Sequence, residues 1–138
     1  MALKITLKPG EKFVINGAVV VNGDRRTSLL IQNKVSILRE KDVLQPDEAN
    51  TPVRRIYFDV MMMYLDDAAH DQYKDEFTER MTEFMEGISN KDAMAKCISI
   101  IDDVNKGQYY GALMTCKKLL PFEKERLDYD SARESASS

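Results

Sequence analysis

The sequence predicts an α+β protein: a small antiparallel β-sheet or open barrel of about five strands, followed by a bundle of about four helices. Three observations carry that prediction. The first 43 residues hold short apolar runs broken at Pro9-Gly10, Asn16-Gly17 and Asn22-Gly23. Beyond Thr51-Pro52, apolar residues recur at the three- and four-residue spacing of helices. The composition is that of an ordinary globular chain, with 138 residues, 43% hydrophobic and 31% charged. Such a chain can bury a core without staples.

The strands follow from alternation and punctuation. Leu3, Ile5 and Leu7 alternate with Lys4, Thr6 and Lys8, giving one apolar and one polar, mostly basic face. Phe13–Ile15 and Ala18–Val21 come next. Asn-Gly tolerates the two positive φ angles of a type I′ turn, so Asn16-Gly17 and Asn22-Gly23 predict a meander. Ser28–Ile31 and Val35–Arg39 supply the last two strands.

Residues 44–51, LQPDEANT, read as a polar linker. Thr51 as N-cap and Pro52 at the first helical position open a helix. Val53, Ile56, Tyr57, Val60 and Tyr64 stripe one side of it, and Phe58, Met62 and Leu65 a second. Two apolar sides predict a central helix through which the two modules share a core. A second helix runs from about Asp71 to Ile88. A third carries Met94, Cys97, Ile98, Ile101 and Val104, capped by Ser89 or Asn90. A fourth runs from Tyr109 to Leu120 and is expected to stop at Pro121. The chain thus divides into a basic β module at 1–43, a linker at 44–51, a helical module at 52–122 and a flexible tail at 123–138.

Net charge is −3, but it is split. Residues 1–58 carry ten Lys and Arg against six Asp and Glu, a net of +4; the rest carry ten against seventeen, a net of −7. A basic half joined to an acidic half suggests two faces with different partners. The longest apolar run, Val60 to Leu65, is far short of the roughly 20 residues of a membrane span. No signal peptide is read, so the expected compartment is the cytoplasm. Cys97 and Cys116 are most simply reduced core thiols.

No enzyme signature stands out, and no cofactor or metal is expected. The single histidine, His70, has no His or Cys partner at ligand spacing and reads as a surface residue near a helix start. Asp66-Asp67 and Asp102-Asp103 lack the alternating oxygen ligands of a calcium loop. The eight methionines either fill a core or furnish an adaptable groove, with Met61, Met62, Met81 and Met85 as the candidates for partner contact. The basic residues Lys4, Lys8, Arg25, Arg26, Arg39 and Lys41, with Thr6, form a candidate RNA-binding surface. An arginine such as Arg39 can make two hydrogen bonds to guanine.

The segments LKITLKPGEKFVINGAVVVNGDRRTSLLI, VSILREKDVL and NTPVRRIYFDVMMMYL resemble the FlbT family of alphaproteobacterial flagellar regulators, over roughly Leu3 to Leu120. The resemblance implies a cytoplasmic post-transcriptional regulator associated with the 5′ untranslated region of flagellin mRNA. There it lowers translation or stability, with a positive effect in some relatives. A small helical protein, FlaF, belongs to the same regulatory system. LKITLKPGEKFVI and VSILREKD also resemble the RNA-contacting segments of the carbon storage regulator family. That likeness places Ile5, Thr6 and Lys8 in one RNA-contacting strand and Ile37 to Glu40 in another. Leu7 stands where that family has a basic residue and Leu38 where it has His. It also implies a homodimer, because that family pairs strands between subunits. The rival expectation is a protein-interaction module whose helices bind FlaF or flagellin, with an indirect effect on the mRNA.

Overall fold

The computed structural model describes residues 3–137, with side chains through Leu127. Five strands precede four helices: β1 (Leu3–Leu7), β2 (Lys12–Ile15), β3 (Ala18–Val21), β4 (Thr27–Ile31), β5 (Ile37–Arg39), α1 (Pro52–Leu65), α2 (His70–Glu86), α3 (Lys91–Asn105) and α4 (Tyr109–Ser137). The class is α+β as expected. The strands form two small antiparallel sheets, β1-β4 and β3-β2-β5, and no closed barrel. The chain folds as two units. One holds the residues up to Val43 with Tyr64–Asp67; the other holds Leu44–Met63 and the chain from Ala68 onward.

In the β unit the expected meander is half right. Asn16 and Gly17 both have positive φ, 48° and 85°, and close the β2–β3 hairpin. Asn22 and Gly23 do not. Neither has positive φ among the described residues, and β4 returns to pair with β1 instead of extending the hairpin. The physical reason is that the Asn22 side chain is spent elsewhere. Its Nδ2 donates to the carbonyls of Lys8 at 2.8 Å and Arg25 at 2.9 Å, and its backbone N–H donates to Glu11 O.

The Pro9-Gly10 break is a turn closed by Glu11 N–H to Lys8 O at 3.1 Å. Pro9 sits at its second position and Gly10, at φ 71°, at its third, which only glycine adopts without strain. Ile5, Leu7 and Phe13 form the core of the unit, with Ile15, Leu29, Ile31 and Ile37 packed on it. The last turn of α1 guards the free edge of β5. Tyr64 OH accepts from Ile37 N–H and donates to Ile37 C=O, at 2.9 and 3.0 Å, as a neighbouring strand would. Strand β3 remains hydrogen-bonded on one side only, with Val19 70% exposed.

In the helical unit, Val53, Ile56, Tyr57 and Val60 are buried as the first stripe predicts, while Phe58 and Met62 are half-buried. Asn90 caps α3, its Oδ1 accepting from Ala93 N–H. Cys97 and Cys116 are free and buried, and burial pushes both thiols above their ordinary range. Such thiols pack rather than react. Among the described residues no helix is long and apolar enough to cross a membrane.

Pro121 does not end α4, which runs on to Ser137. The expected stop was wrong because Glu123, two residues later, has a structural task. Its carboxylate is buried and closes the start of α1. Oε2 accepts from Val53 N–H at 2.8 Å, and Oε1 accepts from the Thr51 hydroxyl, which also receives Arg54 N–H. A carboxylate on the orphan N–H groups of a helix start satisfies donors and meets the positive end of the dipole. The lost i−4 hydrogen bond and the clash of its ring with the preceding turn make an interior proline cost about 3 kcal/mol. The cap, and the burial of Cys116 and Leu119 on the same helix, offset it. Glu123→Ala should therefore lower unfolding stability by about 1–3 kcal/mol, the range for leaving a buried donor unpaired. Glu123→Gln, which keeps an acceptor, should lose less. Equal urea midpoints for Glu123→Ala and the parent chain would contradict the cap.

Candidate functional site

The candidate surface grows from β1. Ile5 and Leu7 point into the core, so Lys4, Thr6 and Lys8 point outward. The β1–β4 register sets Lys4 opposite Leu30 and Thr6 opposite Ser28, so these share the outer face. The loop after β3 carries Arg25 and Arg26, both exposed. The Asn22 amide joins this loop to β1 by holding the Lys8 and Arg25 carbonyls together. Lys8, Arg25 and Arg26 thus lie at one end of the β1–β4 ribbon. Neither arginine side chain makes an ion pair or hydrogen bond among the described residues. Two exposed guanidinium groups on a pinned loop beside a lysine can hold phosphates with little ordering cost.

Arg39 has a different placement. Its Nη1 pairs with Glu11 Oε2 at 2.6 Å, and its Nη2 donates to Thr6 O at 3.0 Å. Glu11 Oε1 accepts from Lys8 N–H at 2.9 Å. One carboxylate and one guanidinium therefore join β5 to the end of β1. These two hydrogen bonds hold the Arg39 guanidinium against its own chain. Lys41 is exposed on the single 3-10 turn Glu40–Asp42 that follows β5.

Met61 and Met81 are 3% and 1% exposed and belong to the helical core, while Met62 and Met85 are half-buried. His70 is half-buried rather than on the surface, its ring edge-on to Tyr109 and its Nε2 against Met63 O. Among the described residues, no three His, Cys, Asp or Glu side chains gather where a metal ion could sit.

Sequence reasoning missed three polar residues that organise the chain. Asn22 was hidden by its turn-like dipeptide. Glu11 lies just past the Pro9-Gly10 break, where nothing local in the sequence marks its partners. Asp59 is 1% exposed with Oδ2 3.2 Å from Arg80 Nε. Burial and the neighbouring Glu76 raise the Asp59 carboxyl to about 7, against the opposing pull of Arg80. A lone acid inside YFDVMMM was the available signal.

Glu11 gives a test by pH. Backbone and Arg39 hydrogen bonds hold its carboxyl below the ordinary 4.5. A carboxyl lowered on folding stabilises the fold above its unfolded value and loses that contribution as pH falls through the folded one. The stability gap between the parent chain and Glu11→Gln should stay constant from pH 7 to 5. It should then close below 4.5, read by amide exchange in β1 and β2. A gap independent of pH down to 3 would contradict the clamp.

A model of the family described as flagellar protein FlbT matches residues 3–127. A probable flagellum biosynthesis repressor protein FlbT from Caulobacter sp. (strain K31) is 56% identical over 131 residues, 95% of this chain and 100% of the relative. The flagellum biosynthesis repressor protein FlbT of Caulobacter vibrioides (strain ATCC 19089 / CIP 103742 / CB 15) is 53% identical over 136 residues, 99% and 96% of the two chains. A Rhodopseudomonas palustris (strain TIE-1) relative with the same probable-repressor name is 38% identical over 127 residues, 92% and 98%. No solved structure matches. With the family model spanning nearly all of the described side chains and relatives matching end to end, this chain belongs to the FlbT family of flagellar proteins.

Proposed function

We propose that this chain regulates flagellum biogenesis after transcription, by binding the 5′ untranslated region of flagellin mRNA through its β unit. The observation that supports it most is the pinned, unpaired arginine pair. Arg25 and Arg26 are exposed, and the Asn22 amide ties their loop to Lys8. Lys4, Thr6 and Lys8 extend the surface along β1, and Lys41 adds a cation after β5. Arg39 is a positioning residue in this reading, because its guanidinium is engaged by Glu11 and Thr6. The relatives named as flagellum biosynthesis repressors support a regulatory outcome. The proposed place of action is the cytoplasm, where the message is translated. A homodimer is compatible with the free edge of β3, which offers backbone donors and acceptors to a second copy.

The reaction to RNA would be electrostatic first. Each phosphate neutralised on a single strand releases counterions and adds about 0.7 to the slope of log affinity against log salt. Arg25→Glu with Arg26→Glu should weaken binding of a flagellin 5′ untranslated RNA at least tenfold and flatten that slope by about 1.4. The same double variant should unfold in urea like the parent chain, since neither side chain has a partner to lose among the described residues. Fluorescence anisotropy against salt, beside a scrambled RNA, measures this. Binding of the double variant equal to the parent's would overturn the assignment. Equal parental affinity for both RNAs would overturn the claim of a specific message.

A further inference from the structure

A second opening lies wholly in the helical unit. A cavity of about 270 Å³ lies between α1, α2 and α4. Phe84, Ile88, Phe122 and Leu127 supply its apolar lining, and Arg55, Arg80 and Arg126 bring three guanidinium groups to it. Glu83 and Glu123 line it as well. Glu123 is already spent: both of its oxygens are occupied by the start of α1. Two of the arginines are held. Arg80 Nε lies 3.2 Å from Oδ2 of buried Asp59, close enough for charge attraction but without a hydrogen bond, and Arg126 donates through Nη2 to Gly87 O at 2.6 Å. Arg55 is exposed.

We propose that this cavity docks an acidic peptide segment of a partner protein, which inserts one large apolar side chain and sets an adjacent carboxylate against the arginines. Three features select that occupant. Size is the first. The volume lies just below the roughly 300–1,000 Å³ of pockets that enclose whole small molecules, and it suits one or two side chains. Charge is the second. Three arginines meet at one cavity in a helical unit that is net acidic. Arginine's planar fork matches a carboxylate with two hydrogen bonds. The third is Glu83 in the lining. Its carboxylate repels a polyphosphate strand, charged at every unit, more than a peptide that brings one carboxylate to the arginines and is otherwise neutral there. None of the lining residues belongs to the β unit, so the proposal stands or falls independently of RNA binding.

A random twelve-residue peptide library displayed on phage and selected on the full-length protein tests it. Enriched sequences should place Phe, Leu, Ile or Met within two positions of Asp or Glu. Synthetic copies should lose at least tenfold in affinity to Arg55→Glu and to Leu127→Glu, both substitutions of exposed side chains that leave the urea midpoint near the parent's. Arg25→Glu with Arg26→Glu should leave peptide affinity unchanged. No enrichment, enriched peptides without acidic residues, or affinity insensitive to both cavity substitutions would overturn the proposal. So would a twenty-nucleotide single-stranded RNA whose binding is lost to Arg55→Glu, since the cavity would then belong to nucleic acid.

Discussion

The β unit depends on the carboxylate of Glu11. Its two sheets share no backbone ladder: β1 pairs only with β4, and β2 only with β3 and β5. Glu11 bridges the gap between them. One oxygen takes the Lys8 N–H at the end of β1, and the other takes Arg39 at the end of β5, which reaches on to Thr6 O. The type II turn at Pro9-Gly10 brings Glu11 to that position, and Gly10 at positive φ permits the turn. Beneath this polar fastening lie Ile5, Leu7 and Phe13. Apolar burial supplies most of the driving force, but it is non-directional. The carboxylate fixes which strand ends meet, and so where Lys8 and the arginine loop stand.

The helical unit uses the same device at longer range. Glu123 reaches across 70 residues of sequence to Val53 N–H, and Asp59 stands behind Arg80. In each case an acid joins elements far apart in the chain. Buried acids of this kind contribute specificity of arrangement more reliably than net stability, because desolvation offsets much of the attraction. The outcome is an arginine-lined cavity set among acidic helices, distinct in charge from its surroundings.

Local patterns made much of this legible. Alternation gave β1, and Asn16-Gly17 gave a true type I′ hairpin because both residues take positive φ. Thr51-Pro52 marked the start of α1, and Asn90 the cap of α3. The misreadings share a cause. Asn22-Gly23 and Pro121 are strong local signals overruled by partners remote in sequence, the Lys8 carbonyl in one case and the α1 N-terminus in the other. Arg39 was legible as a cation but not as one already engaged, since its partner Glu11 lies 28 residues away. Periodicity carries no information about such pairs. Lys4, Thr6 and Lys8 sharing a face, by contrast, needed only the strand period of two.

The proposed function requires that the β unit touch the message directly. Photo-crosslinking the full-length protein to a flagellin 5′ untranslated RNA, followed by mass-spectrometric mapping of the modified peptides, addresses it without any substitution. The account predicts crosslinks concentrated on the peptides bearing Lys4 to Lys8 and Arg25-Arg26. Crosslinks confined to the helices, or none above the level of a scrambled RNA, would contradict it.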